Sequence, residues 1–215
     1  MSIRIDYEIL KKITNTEQER NIYVHNNPLA RDIFWQRLDK IYSMISKYCN
    51  EQDKVLDFGG GSGVFGYGLS KYFEEVDIVD LDTSDAKNIK KYFNLKNVSI
   101  YEEDMANFSP KLQYDLVVAT DVLEHFQYTQ LPLDFINRIL KKDGFLAITL
   151  PTENWLYELG RKIVNKQKPA DHYHSSTTII NFLIRNGYKP LKRHYAPSYI
   201  VPIPLFEAII FQKCH

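Results

Sequence analysis

The stretch Val55-Leu56-Asp57-Phe58-Gly59-Gly60-Gly61-Ser62-Gly63 constrains this chain more than any other. A short apolar run ends around a carboxylate, and four glycines then fall within five positions before an amphipathic stretch begins at Val64. Glycine admits backbone with positive φ and lets a ligand approach the main chain without meeting a Cβ. A plain strand-to-helix turn does not need so many glycines. Their density behind an acid marks a loop shaped to receive a ligand.

The strand–turn–helix rhythm repeats downstream. Short apolar runs at 55–58, 76–79, 98–101, 116–119 and 145–150 alternate with amphipathic stretches at 64–73, 86–93, 122–126 and 131–140. Such alternation predicts an α/β chain with a mostly parallel, doubly wound sheet covered on both faces. Two closing strands at 188–195 and 205–212 bring the sheet to seven strands, and a helix over 178–185 precedes them, stopped by Asn186-Gly187. Upstream, Asn27-Pro28 offers a capping side chain and a proline at the first helical position. Leu29, Ile33, Phe34, Leu38, Ile41, Ile45 and Tyr48 then follow at helical spacing. Residues 1–51 are therefore expected as an N-terminal helical cover and 52–215 as the ligand-binding domain. An insertion at 151–177 interrupts that domain, with an extra amphipathic helix over 153–165.

Two kinds of ligand compete for the glycine loop. Gly61-Ser62-Gly63-Val64-Phe65-Gly66 has the spacing of a dinucleotide fingerprint. Such a site rests a pyrophosphate on the helix N-terminus and places an acid about 20 residues on. Here Asp57 stands ahead of the glycines, where its charge would repel a pyrophosphate and suit a cationic ligand, and Asp80 comes too soon after Gly66.

The arrangement resembles the class I S-adenosylmethionine-dependent methyltransferase family, from Val55 through most of the chain. Asp57-Phe58-Gly59-Gly60-Gly61-Ser62-Gly63 is similar to its acid-GxGxG signature. The resemblance implies a Rossmann-like fold, S-adenosylmethionine as cofactor, and methyl transfer to an oxygen or nitrogen of a small-molecule acceptor, the alternatives being an RNA or protein methyltransferase or a non-catalytic S-adenosylmethionine-binding module. It implies cofactor contacts from Asp57, Gly59, Gly61 and Gly63, and from Asp80 and Leu81 at the ribose. Asp104 and Met105 would flank the adenine, and Thr120, Asp121 and Val122 would line the turn after the fourth strand. Lys141-Lys142-Asp143-Gly144 resembles the family's turn into the fifth strand, with Asp143 where glycine is usual. The choice of Asp80 has physical sense, because one carboxylate can accept both vicinal ribose hydroxyls. Asp82, its neighbour, reads as a turn or helix-cap acid.

Asp121, Glu124 and His125 would share one face of a helix starting near Asp121. An acid, an acid and an imidazole could hold a divalent cation. Ubiquinone-pathway relatives within the resembled family carry a similar group with a proposed metal role, and many other relatives with Leu-Glu-His here bind no metal. The expectation is a cofactor-pocket wall without metal. In the resembled small-molecule methyltransferases the segment that corresponds to Asp171-His172-Tyr173-His174 approaches the acceptor from the lid side, so the resemblance implies His172 or His174 as the base, with His125 as rival.

Lys+Arg and Asp+Glu both number 27, which argues against a broad basic surface for nucleic acid. The two cysteines, Cys49 and Cys214, lack CxxC spacing and read as ordinary thiols. No secretory or membrane-spanning pattern is present, so a cytoplasmic protein is expected, with peripheral membrane contact open only to 153–165.

Overall fold

The computed structural model describes residues 3–14, 21–152, 154, 172–197 and 204–214. Seven strands form one sheet: β1 (Lys54–Phe58), β2 (Glu75–Asp80), β3 (Val98–Glu102), β4 (Tyr114–Thr120), β5 (Leu140–Pro151), β6 (Tyr188–Ala196) and β7 (Phe206–Lys213). Their order is β3-β2-β1-β4-β5-β7-β6. The first five run parallel, and β7 inserts antiparallel between β5 and β6. The winding reverses between β1 and β4, so the carboxyl ends of these two strands open the crevice where ligands of such sheets bind.

Helices α1 (Tyr7–Ile13), α2 (Pro28–Tyr48), α3 (Val64–Leu69) and α4 (Ser84–Phe93) supply one face, and α5 (Gln130–Ile139) and α6 (Ser176–Arg185) supply the other. Alternate residues of each strand divide between these layers: Val55, Leu116 and Ala147 join the first, and Leu56, Val117 and Ile148 the second. This is the period-2 consequence of a pleated strand buried on both faces. Among the described residues, no helix is long and apolar enough to cross a membrane.

Asn27 caps α2 as its spacing predicted, its side chain accepting from the Leu29 and Ala30 amides. Leu38, Ile41 and Ile45 are buried, whereas Leu29 and Tyr48, at the two ends of the expected stripe, are exposed. Trp35, Arg37 and Met44 are buried on α2 as well. The helix expected at 64–73 closes at Leu69, and the one expected at 122–126 is a single 3₁₀ turn, Leu123–His125. The expected extra helix over 153–165, and with it the membrane contact, falls on residues outside the described set, apart from Asn154.

Candidate active site

The glycine loop is built by three positive-φ glycines, Gly59 (71°), Gly61 (47°) and Gly63 (76°). Each has a different neighbour. A Cβ at Gly59 would stand 2.5 Å from Val122 Cγ2, and one at Gly63 would stand 2.7 Å from Ala86 Cα. A Cβ at Gly61 would clash with nothing, its nearest neighbour being Asp80 Oδ2 at an ordinary contact distance of 3.8 Å. The first and third glycines thus permit packing against the β4 turn and α4. The middle one leaves room for something else.

That room is a cleft of about 220 Å³ whose lining includes Gly61, Ser62, Asp80, Asp82 and Asn21. Asp80 ends β2 with Oδ2 accepting from the Gly61 amide at 2.8 Å and Oδ1 from the Asp82 amide at 3.0 Å. A carboxylate offers about four lone-pair sites, so two further donors fit without displacing either amide. Asp82 plays the turn role expected of it: Oδ1 accepts from the Ser84 amide at 3.1 Å and the Ser84 hydroxyl at 2.8 Å. Leu81 stands beside them, exposed.

Asp57 sits differently from the expectation. It is fully buried under the loop, 2.9 Å from the position a Gly60 Cβ would take. Asp57 thus braces the loop from beneath and lies outside the lining of the cleft. Burial, with the Asp80 carboxylate adding to it and the Gly66 amide easing it, pushes Asp57 up to about 7.

At the end of β3, Asp104 is exposed and opens a turn, its Oδ1 accepting from the Ala106 amide at 2.8 Å. Met105 packs partly buried on the core. The neighbouring Glu102 is occupied elsewhere, bonded to Lys87 and to the Thr83 hydroxyl. The Glu103 amide donates to the Asp80 carbonyl, which ties the β3 end to the end of β2.

The turn after β4 corrects the expected grouping of Asp121, Glu124 and His125. Asp121 takes a φ of 55° and ends the strand instead of starting a helix. Its Oδ1 accepts from the Thr149 hydroxyl at 2.8 Å, and its Oδ2 pairs with the guanidinium of Arg37. Asp121 therefore turns toward α2 and β5. Glu124 and His125 join His172 instead: one ligand atom from each of the three lies within 4.8 Å of the others. The two imidazoles meet edge to face, with centroids 4.7 Å apart. Main-chain bonds fix the lid segment there, the Tyr173 amide donating to the Glu124 carbonyl at 2.9 Å. One residue on, His174 Nε2 bonds the Gln127 carbonyl at 3.0 Å.

Arg37 is a site residue that sequence reasoning missed. It is 5% exposed, donates to the Tyr23 hydroxyl at 2.7 Å, and lies over the rings of Phe34 and Phe206. The signal was present in its position, three residues after Phe34 and four before Ile41, on the apolar face of α2. Thr149, buried at the carboxyl end of β5, was missed too.

Comparison with known proteins places this architecture. A family described as "Methyltransferase domain" matches residues 29–192, most of the chain. The chain belongs to that methyltransferase family. The match runs from α2, with Arg37, through the glycine loop and the Glu124–His172 cluster into β6. Among curated proteins, malonyl-[acyl-carrier protein] O-methyltransferase 2 of Ilyobacter polytropus is 24% identical over 108 residues, 49% of this chain and 42% of that protein. The match thus spans less than half of that relative's length. The N-methyltransferase NodS of Bradyrhizobium japonicum, solved with S-adenosyl-L-homocysteine, is 16% identical with a TM-score of 0.69, over 97% of this methyltransferase and 98% of NodS. Magnesium protoporphyrin IX methyltransferase of Synechocystis, solved with the same ligand, is 16% identical with a TM-score of 0.70, over 97% and 100%. These likenesses establish a Rossmann-like methyltransferase fold.

Proposed function

We propose that this methyltransferase transfers the methyl group of S-adenosylmethionine to a hydroxyl or amine of a small molecule. The observation that carries the reading is Asp80, held by the Gly61 and Asp82 amides beside a cleft left open over Gly61. Two vicinal hydroxyls of a ribose can donate to the free lone pairs of that carboxylate. Leu81 and Met105 supply apolar surface for the adenine, and Asp104 a polar edge. The β4 turn, Thr120 to Val122, walls the methionine end. Two relatives solved with the product of this cofactor share the fold over nearly the whole chain.

When bound, the sulfonium supplies a good leaving group. The protein aligns the nucleophile, excludes water and lets a proton leave. The acceptor enters on the lid side, where His125, His172 and His174 lie. His172 faces His125 directly, whereas His174 already bonds a main-chain carbonyl. His172→Ala is expected to lower turnover by roughly 10²–10⁴-fold with donor affinity unchanged, and His174→Ala less. Wild-type rates in both lid variants beside an inactive His125→Ala would move the proton to His125.

Calorimetric titration tests the donor. S-adenosylmethionine and S-adenosylhomocysteine should bind and a nicotinamide dinucleotide should not. Asp80→Ala should weaken binding by about 1.5–3 kcal/mol per charged hydrogen bond lost, less any replacement by water. Asp82→Ala should do less, because its carboxylate faces Ser84. Binding of the dinucleotide alone, or equal losses from the two aspartates, would overturn this reading.

A further inference from the structure

The Glu124–His125–His172 cluster has a composition and a spacing that invite a cation. One carboxylate oxygen and two imidazole nitrogens converge within 4.8 Å from two separate segments, the β4 turn and the lid. Across an ion with bonds of about 2.1 Å, neighbouring ligand atoms stand roughly 3.0–3.4 Å apart and opposite ones about 4.2 Å. Closing the observed spread takes about an ångström, within the swing of an imidazole about its broad terminal torsion. The frame is already set: Glu124 is 1% exposed, and the Tyr173 amide bonds the Glu124 carbonyl, so the lid cannot carry His172 away without breaking that bond. Asp121, which sequence spacing would have grouped with Glu124 and His125, is engaged by Arg37 and Thr149.

We propose that Glu124, His125 and His172 hold one divalent ion of the zinc, cobalt or manganese kind, with open positions that take the hydroxyl oxygen of the acceptor. Two imidazoles suit the borderline zinc and cobalt, the carboxylate suits manganese as well, and three protein ligands leave room for exogenous oxygen. The open positions decide between oxygen and nitrogen acceptors. A neutral amine has one lone pair, and an ion would occupy it. A hydroxyl that has lost its proton keeps lone pairs beyond the one it gives the ion, and a bound cation makes that loss easier. The oxygen then forms the C–O bond as the S–CH₃ bond breaks. The electron pair of that bond passes to sulfur, leaving a neutral thioether; an imidazole whose lone pair holds the ion is no longer the base, so the hydroxyl proton goes to water. The choice of acceptor rests on the methyl-transfer reading. Loading of the ion does not.

Metal-stripped full-length protein dialysed against Zn²⁺ or Mn²⁺ should take up one equivalent by elemental analysis, and Co²⁺ should give visible bands of a protein-held ion. Glu124→Gln and His172→Ala should each weaken uptake by more than the 10–100-fold that loss of an outer-shell partner costs. Asp121→Asn and His194→Ala should retain the ion. Acetohydroxamate, an oxygen-chelating probe, should shift the Co²⁺ bands. S-adenosylhomocysteine binding measured on every variant separates a lost ion from a lost fold, and His172, outside the buried core, serves where Glu124→Gln fails to fold. Absence of uptake, uptake indifferent to His172→Ala, loss of the ion in Asp121→Asn, or Co²⁺ bands blind to acetohydroxamate would each overturn the proposal. Retained S-adenosylhomocysteine binding in such a case would leave the methyltransferase reading standing.

Discussion

Gly61 and Gly63 look alike in the sequence, and each lies two positions from a glycine, yet they answer to different demands. Both have positive φ, so alanine at either costs about 1–2 kcal/mol of backbone strain. At Gly63 the added methyl would also strike the Ala86 main chain, and overpacking of that kind costs about 1–3 kcal/mol more. At Gly61 it would stand beside the cleft at ordinary contact distance from Asp80 Oδ2 and clash with nothing. Gly61→Ala should therefore keep most of its stability and lose at least roughly tenfold in donor affinity, about 1.4 kcal/mol. Gly63→Ala should show the larger fall in melting temperature. Thermal melts with and without S-adenosylhomocysteine check both, and wild-type donor affinity in Gly61→Ala would remove Gly61 from the cofactor surface. The residue scale also explains Asp143, where the family turn usually has glycine: its φ is 61°, a left-handed conformation that aspartate tolerates better than most side chains.

At the scale of elements, α2 does more than cover the sheet. Its Arg37 reaches the end of β4 and pairs with Asp121, while Phe34 meets Phe206 at the start of β7 with ring centroids 5.0 Å apart. Breaking one side of a buried pair leaves the other charge poorly solvated. Arg37→Met should cost about 3 kcal/mol, the low end for such pairs because the Asp121 side chain keeps 20% exposure. Adding Asp121→Asn should recover part of the loss. Urea unfolding of the two single variants and the double variant measures the coupling, and strictly additive losses would show that the pair contributes nothing of its own. The helix itself was legible, because Asn27-Pro28 and the spacing of Leu38, Ile41 and Ile45 are local signals. The pairing of Arg37 with Asp121 was not, because periodicity says which face is buried and not which distant carboxylate waits there. The β4 turn misled for a related reason. A helical reading of 122–126 assumes φ stays negative at Asp121, and the bond to Thr149 holds it positive.

For the whole molecule, the alternation of apolar runs with amphipathic stretches carried the parallel sheet, and the closing runs carried β6 and β7. Strand order has no such local signature: that β7 slips between β5 and β6 comes from long-range pairing alone. The proposed donor half of the site was readable, since acid and glycines follow one another in the chain around a single loop. The proposed acceptor half joins segments far apart, and nothing in the spacing of Glu124 and His125 announces His172. Among the described residues the segment carrying His172 is tied by the Tyr173 amide and by His174, while the Tyr173 side chain remains 49% exposed. Anchorage and side-chain identity are thereby written in different alphabets. The backbone bond survives any residue but proline at 173, so drift or an engineer can rewrite that outward side chain without unfastening the latch.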